Sequence, residues 1–349
     1  MYHRHSPKGW DRWSRVMSNS VGFLRKDATY VPEVRSPTVR RRELGALLRA
    51  LRTAKGLTVE QAAERLMISM SKLSRMETGH GVATPRDVRD LCDLYGVTDQ
   101  AERDRMTQLA REGKQQAWWQ SYELSYETYV GLEAEAVVIS AFQSSAVHGL
   151  LQTAVYARAG HEGAMPRLSP DQIEMQIEAK LTRQEILVRD HPPGFAVVLD
   201  EAALHRVVGG RQVMAAQLAR ILDVSALPNV EVQVLPFDRG AHPALESNFT
   251  ILELPHQAPD VVFVEGLIGS TYLDRADDLK RYHEIFRKLQ SIALNPQDTA
   301  DLIVKRIRDY GDGPGIALSG ELLRISAYRR LCKELRELPV HIILPIGGV

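Results

Sequence analysis

Two short blocks constrain this chain most: Leu57-Thr58-Val59-Glu60-Gln61-Ala62-Ala63-Glu64-Arg65-Leu66 and, after Met67-Ile68, Ser69-Met70-Ser71-Lys72-Leu73-Ser74-Arg75-Met76-Glu77-Thr78-Gly79. Thr58 suits a helix cap, Gln61 three residues on completes a capping box, and Val59, Ala62, Ala63 and Leu66 fall at i, i+3, i+4 and i+7 on one face. Met67-Ile68 breaks the pattern, and Ser69 can cap a second helix that turns Leu73 and Met76 inward. Met70, Ser71, Lys72, Ser74 and Arg75 then lie outward. Two short helices joined by so tight a turn form a helix-turn-helix, whose second helix suits the major groove of DNA.

The neighbouring segments supply the rest of a helical core. Leu44, Leu47, Leu48 and Leu51 repeat with helical spacing before Lys55-Gly56, a basic last turn with a glycine stop. Pro85 suits a first helical turn, and Val88, Leu91, Cys92 and Tyr95 repeat in the same way before Gly96. A generic helical bundle without a ligand is the plainer alternative, but it requires neither the tight turn nor the Arg75-x-Glu77-x-Gly79 ending.

Residues Arg41 to Gly79 resemble the XRE-type helix-turn-helix domain of phage repressors and their bacterial relatives, whose signature tail is matched by Leu73-Ser74-Arg75-Met76-Glu77-Thr78-Gly79. The resemblance implies base-contacting positions at Met70, Ser71 and Arg75, and phosphate or register contacts at Thr58, Ser69, Lys72 and Ser74. Val59 stands where the family often has a backbone-touching glutamine, and Ala62 where a leucine is common.

The chain is neutral overall, with 44 Lys/Arg and 44 Asp/Glu, but residues 1–90 hold 18 basic against 9 acidic residues. A basic amino-terminal part on an acidic remainder fits a DNA-contacting module on a body that does not touch DNA. Arg40, Arg41 and Arg42, beside Arg35, are expected to contact phosphates. Residues 1–36 mix His3, His5, Trp10 and Trp13 without periodicity and predict a flexible arm, with Met17 as a second candidate start. With neither a signal-peptide pattern nor a membrane-length apolar run, the expected location is cytoplasmic, off the membrane. Cys92 and Cys332 read as packing residues, and neither a metal nor a cofactor is expected.

A chain of 349 residues leaves room for a second domain. The expected organisation is an all-α helix-turn-helix domain at 37–97, a helical linker at 98–117, an α+β regulatory domain at 118–311 and a tail at 312–349. Trp118, Trp119, Tyr122, Tyr126 and Tyr129 cluster at the start of the second domain, where they either seal a joint or form a partner or ligand surface; Glu265 is a further candidate of the latter kind. Helices are predicted near 171–188, 212–222, 276–289 and 298–308, and strands at 195–199, 230–234, 249–254 and 261–264.

This second stretch resembles the domain of unknown function that follows an XRE-type helix-turn-helix in many actinobacterial regulators. The resemblance is carried by Tyr129 to Ala136, Gly149 to Ala157, Arg183 to Leu187, Asp200 to Leu204, Val208 to Gly210, Val234 to Phe237 with Gly240 to His242, and Val261 to Glu265, while His148 replaces a usual proline. It implies a transcriptional regulator, often paired with a small protein encoded beside it, and it establishes no chemistry. Double-stranded DNA, a second copy of the chain and such a small protein are therefore the expected partners. An interaction scaffold or antitoxin-like partner with weak DNA binding is the alternative. Asp200, Glu201, His205, His242 and Glu265 at or near strand ends raise a lesser one, an ADP-ribosyltransferase-like fold without activity.

Overall fold

The computed structural model describes residues 36–122, 124–165, 168–255, 258–266 and 269–311. The arm apart from Ser36, the tail with Cys332, and residues 267–268 lie outside the described residues. The head and the sheet domain fall in one compact unit that begins at Ser36.

Pro37, at a position where a missing N–H costs nothing, starts α1 (Pro37–Ala54). In α2 (Val59–Arg65) the Thr58 hydroxyl accepts the Gln61 N–H and the Gln61 side chain accepts the Thr58 N–H, so the capping box forms as its spacing predicts. Ser69 caps α3 (Met70–Glu77) by accepting the Lys72 N–H. Thr84 and Asp87 make a second capping box on α4 (Pro85–Tyr95), which Gly96 ends in a left-handed conformation. The next helix, α5 (Gln100–Glu112), is in the segment expected as a linker. It buries Met106, Leu109 and Ala110 in one cluster with Leu44, Leu48, Ala62, Ala63, Leu73, Met76 and Leu91, and so belongs to the head's core. Ala62 is fully buried there, and a larger side chain would have to displace these neighbours.

The second domain is α+β. A six-stranded sheet has the order β3-β2-β1-β4-β5-β6, formed by β1 (Val138–Gln143), β2 (Gly194–Asp200), β3 (Val230–Leu235), β4 (Phe249–Glu253), β5 (Val261–Gly266) and β6 (Gly269–Leu273). The first three strands are parallel and the last three join antiparallel. The crossovers run through α7 (Ala154–Glu162), α8 (Pro170–Gln184), α9 (Ala202–His205) and α10 (Arg211–Val224). One face packs Phe142, Val198, Phe249, Ile251 and Val262 against Phe286 and Leu289 of α11 (Ala276–Ile292). Alternate residues Ile139, Ala141, Val197 and Leu199 are also buried, and α10 packs against α12 (Pro296–Gly311). β1 was not expected from the sequence: it is covered on both faces and so lacks the alternation that marks a half-exposed strand.

The head meets the sheet domain through α1 and α6 (Glu127–Glu133). Gly131 makes this possible, because a Cβ there would come within 2.5 Å of Thr38 Oγ1.

The turn between α2 and α3 places Met67 at φ 52°, 93% exposed, whereas the end of α3 places Gly79 at φ 73°. A Cβ on Gly79 would also meet Arg42 Cγ at 2.7 Å. Met67→Gly is expected to stabilise the protein by about 0.5–1 kcal/mol in urea unfolding, and Gly79→Ala to destabilise it by about 2 kcal/mol. A loss of stability in Met67→Gly would contradict strain at the turn.

Candidate nucleic-acid interface

The inner side of α3 is fixed by a fork. Arg52 Nε and Nη2 on α1 meet the two carboxylate oxygens of Glu77 at 2.7 and 2.9 Å, and Arg52 Nη1 donates to Leu57 O at 2.7 Å. The helices cross at Gly45, where a Cβ would sit 2.6 Å from Met76 O. With that side buried, Ser69, Met70, Ser71, Lys72, Ser74 and Arg75 are all exposed, Met70 by 51%, and Thr58 is exposed at the start of α2. A cleft of about 320 Å³ lies between α3 and the following loop, lined by Ser69, Ser71, Lys72, Arg75 and Gly81. The Thr58 and Ser69 oxygens are used as caps, which leaves each hydroxyl proton to donate outward. Lys72 Nζ lies 2.6 Å from Asp87 Oδ1. Burial opposes ionisation of Asp87, but its hydrogen bonds from Lys72 and Thr84 outweigh that and hold the carboxyl below its ordinary range.

Two of the three expected phosphate contacts in the arginine run, Arg40 and Arg42, are corrected. Arg40 is buried, with Glu43 at 2.7 Å, Glu135 at 2.5 Å and Glu112 at 3.6 Å. Arg42 is buried against Asp274 at 2.7 Å. Arg41 donates to Gly113 O and Thr38 Oγ1, both at 3.2 Å, and is half-buried. Arg40 through Glu135 and Arg42 through Asp274 hold the head to the sheet domain, and neither has surface to offer a phosphate. A run of arginines on one helix looks the same in sequence whether its carboxylate partners are distant residues or a nucleic acid. Glu135 also accepts the Ser36 N–H. Burial pushes the Glu135 carboxyl up to about 7, against the pull of Arg40 and the Ser36 N–H.

The aromatic cluster is largely a seam. Trp119 and Tyr129 are buried, which removes both from any partner surface, while Trp118, Tyr122 and Tyr126 are half-buried. Trp118 stands edge-on to Trp119 and Tyr122, each at 5.7 Å. Beside them is a buried ion pair, Arg183 to Glu133 at 2.7 and 2.9 Å, with the guanidinium over the Tyr126 and Tyr129 rings and the Tyr129 hydroxyl donating to Glu133 at 2.7 Å. His148 caps the next turn by accepting the Leu150 N–H, and burial lowers its pKa to about 4. Glu265 is exposed on β5.

Asp200, Glu201, His205 and His242 do meet, beyond the carboxyl ends of β2 and β3. Glu201 accepts the Phe237 N–H at 2.9 Å and lies 3.0 Å from His205, while Asp200 accepts the Ala202 N–H at 2.8 Å and lies 3.6 Å from His242. These bonds tie loops to strand ends. Among the described residues no His, Cys, Asp and Glu group is arranged to hold a metal ion, and no helix is long and apolar enough to cross a membrane.

In comparisons with known proteins, residues 43–106 match the family described as helix-turn-helix domain, and residues 126–305 match the one described as domain of unknown function (DUF5753). No curated protein and no solved structure matches the chain.

Breaking a buried ion cluster leaves uncompensated charge. Arg40→Met, which would take the guanidinium from Glu135 and leave Glu43 with Arg105 alone, is expected to destabilise the protein by about 3–5 kcal/mol in urea unfolding, and an unchanged midpoint would contradict the buried role. A carboxyl whose folded pKa is raised above its unfolded value stabilises most when protonated in both states. That contribution is lost as pH climbs from the unfolded value of 4.5 through about 7. Stability measured between pH 5 and 8 is therefore expected to fall more steeply in the native chain than in Glu135→Gln, by on the order of 2–3 kcal/mol. Parallel profiles would contradict it.

Proposed function

The chain belongs to the DUF5753 family and carries a helix-turn-helix domain ahead of that family's domain, and from this premise we propose a sequence-specific regulator of transcription that binds DNA as a homodimer. The sheet domain then adjusts operator occupancy through a small protein partner or a ligand. The observation that carries this reading is the outward side of α3, where Met70, Ser71 and Arg75 are exposed on a helix whose inner side is locked by Arg52 and Glu77. In this reading α3 enters the major groove, Arg75 reads a guanine edge, Met70 packs on a base methyl, and Thr58, Ser69 and Ser74 hold the backbone. Two copies place two such helices about one helical turn apart on a pseudo-palindrome. The resemblance to XRE-type repressors supports the same assignment. A cytoplasmic location follows from a DNA target.

Lys72 has a specific part in this reading. Its ammonium is held by a carboxylate at the edge of the groove-facing surface, so Asp87 competes with phosphate for it.

Binding to operator and random duplexes across a salt series tests the proposal. Affinity should fall with a log–log slope near 0.9 per phosphate contacted. Arg75→Ala should cost about 1–3 kcal/mol on the operator and far less on random duplex. Asp87→Asn should raise random-duplex affinity and steepen the slope by about 0.9, and adding Lys72→Met should cancel that gain. Absent or salt-insensitive binding would favour the scaffold reading, in which the head serves only to hold a small protein.

A further inference from the structure

The sheet's two edges are finished differently. At β3 the outward groups of Val234 are taken up: its N–H donates to Thr299 Oγ1 at 3.0 Å, and its C=O accepts from the Leu294 N–H at 2.8 Å. The Gln233 amide reaches Leu294 O at 3.0 Å. The connection between α11 and α12 thus covers that edge at Val234.

β6 has no such cover. The Glu253 carbonyl turns toward β1, where it accepts the Val137 N–H, so by the alternation of backbone direction Thr250 and Leu252 turn toward β5. Their partners Phe263 and Val261 answer them, which leaves Val262, Val264 and Gly266 facing β6. Leu273, Thr271 and Gly269 stand opposite those three and bond inward, and Ser270 and Tyr272 direct their N–H and C=O away from the sheet. Among the described residues those outward groups have no partner. Gly269, Ser270 and Thr271 are exposed, and the strand Gly-Ser-Thr-Tyr-Leu contains neither a charge nor a proline, the usual guards of a free edge.

We propose that β6 is the dimerisation edge, pairing antiparallel with β6 of a second copy about a twofold axis at Thr271. The strand is complementary to itself. Its two outward residues flank Thr271 symmetrically, so the axis sets Ser270 opposite Tyr272 of the partner subunit, and each such pair exchanges both N–H···O bonds. An uncharged strand brings no like charges face to face. The next residue along, Asp274, holds Arg42 of α1 at 2.7 Å, so each head is tied to the end of its pairing strand and one axis relates the two heads. The inference rests on the dimeric form of the proposed function and names the surface that makes the dimer.

Sedimentation equilibrium of the full chain tests it, with duplex binding on the same samples as a separate readout of the DNA-binding reading. The native chain should be a dimer. Thr271→Lys and Thr271→Glu, each setting like charges across the axis, should weaken self-association by about tenfold or more, and an equimolar mixture of the two should associate again. Recovery in the mixture excludes misfolding as the cause of the loss. A native chain that is monomeric, or a dimer that survives both substitutions, overturns β6 as the interface; the second result leaves DNA binding by a dimer standing.

Discussion

Three arginines on one helix, each paired with a carboxylate of another element, hold this structure together. Arg52 grips Glu77 of α3, Arg40 gathers Glu43, Glu112 and Glu135, and Arg42 takes Asp274. A buried pair is a weak source of net stability compared with apolar packing, but losing one partner is severe. Such pairs suit alignment: they tolerate few alternative arrangements, so α1 sets the position of α3 and of the sheet domain at once.

The head was legible because its signals are local. Thr58 and Gln61 lie within one turn, the apolar spacing of α1, α2 and α4 repeats within each helix, and Gly79 ends α3 where a left-handed residue is needed. The sheet domain was legible where strands alternate, as in Val230 to Val234, and hidden where they do not. β1 is buried on both faces, and β6 has the polar, exposed composition of a loop. The misread residues were those whose partners are remote in sequence. Arg40 finds Glu135 95 positions away and Arg42 finds Asp274 232 positions away, separations no local pattern can carry.

The same limit explains the aromatic segment. Its density is visible in the sequence, but not that two of its rings, Tyr126 and Tyr129, meet the guanidinium of the remote Glu133 to Arg183 pair. Trp119 and Tyr129 are buried, and only Trp118, Tyr122 and Tyr126 keep any outward surface. The sheet domain therefore begins with a polar core wrapped in aromatic carbon, directly behind the helix that bears the head.

Gly79 shows how tightly this is assembled. The space its missing side chain would occupy is filled by Arg42, so the last turn of α3 lies in van der Waals contact with the residue that reaches across to Asp274. A single side chain, Arg42, thus joins Asp274 at the end of β6 to the residue that closes α3.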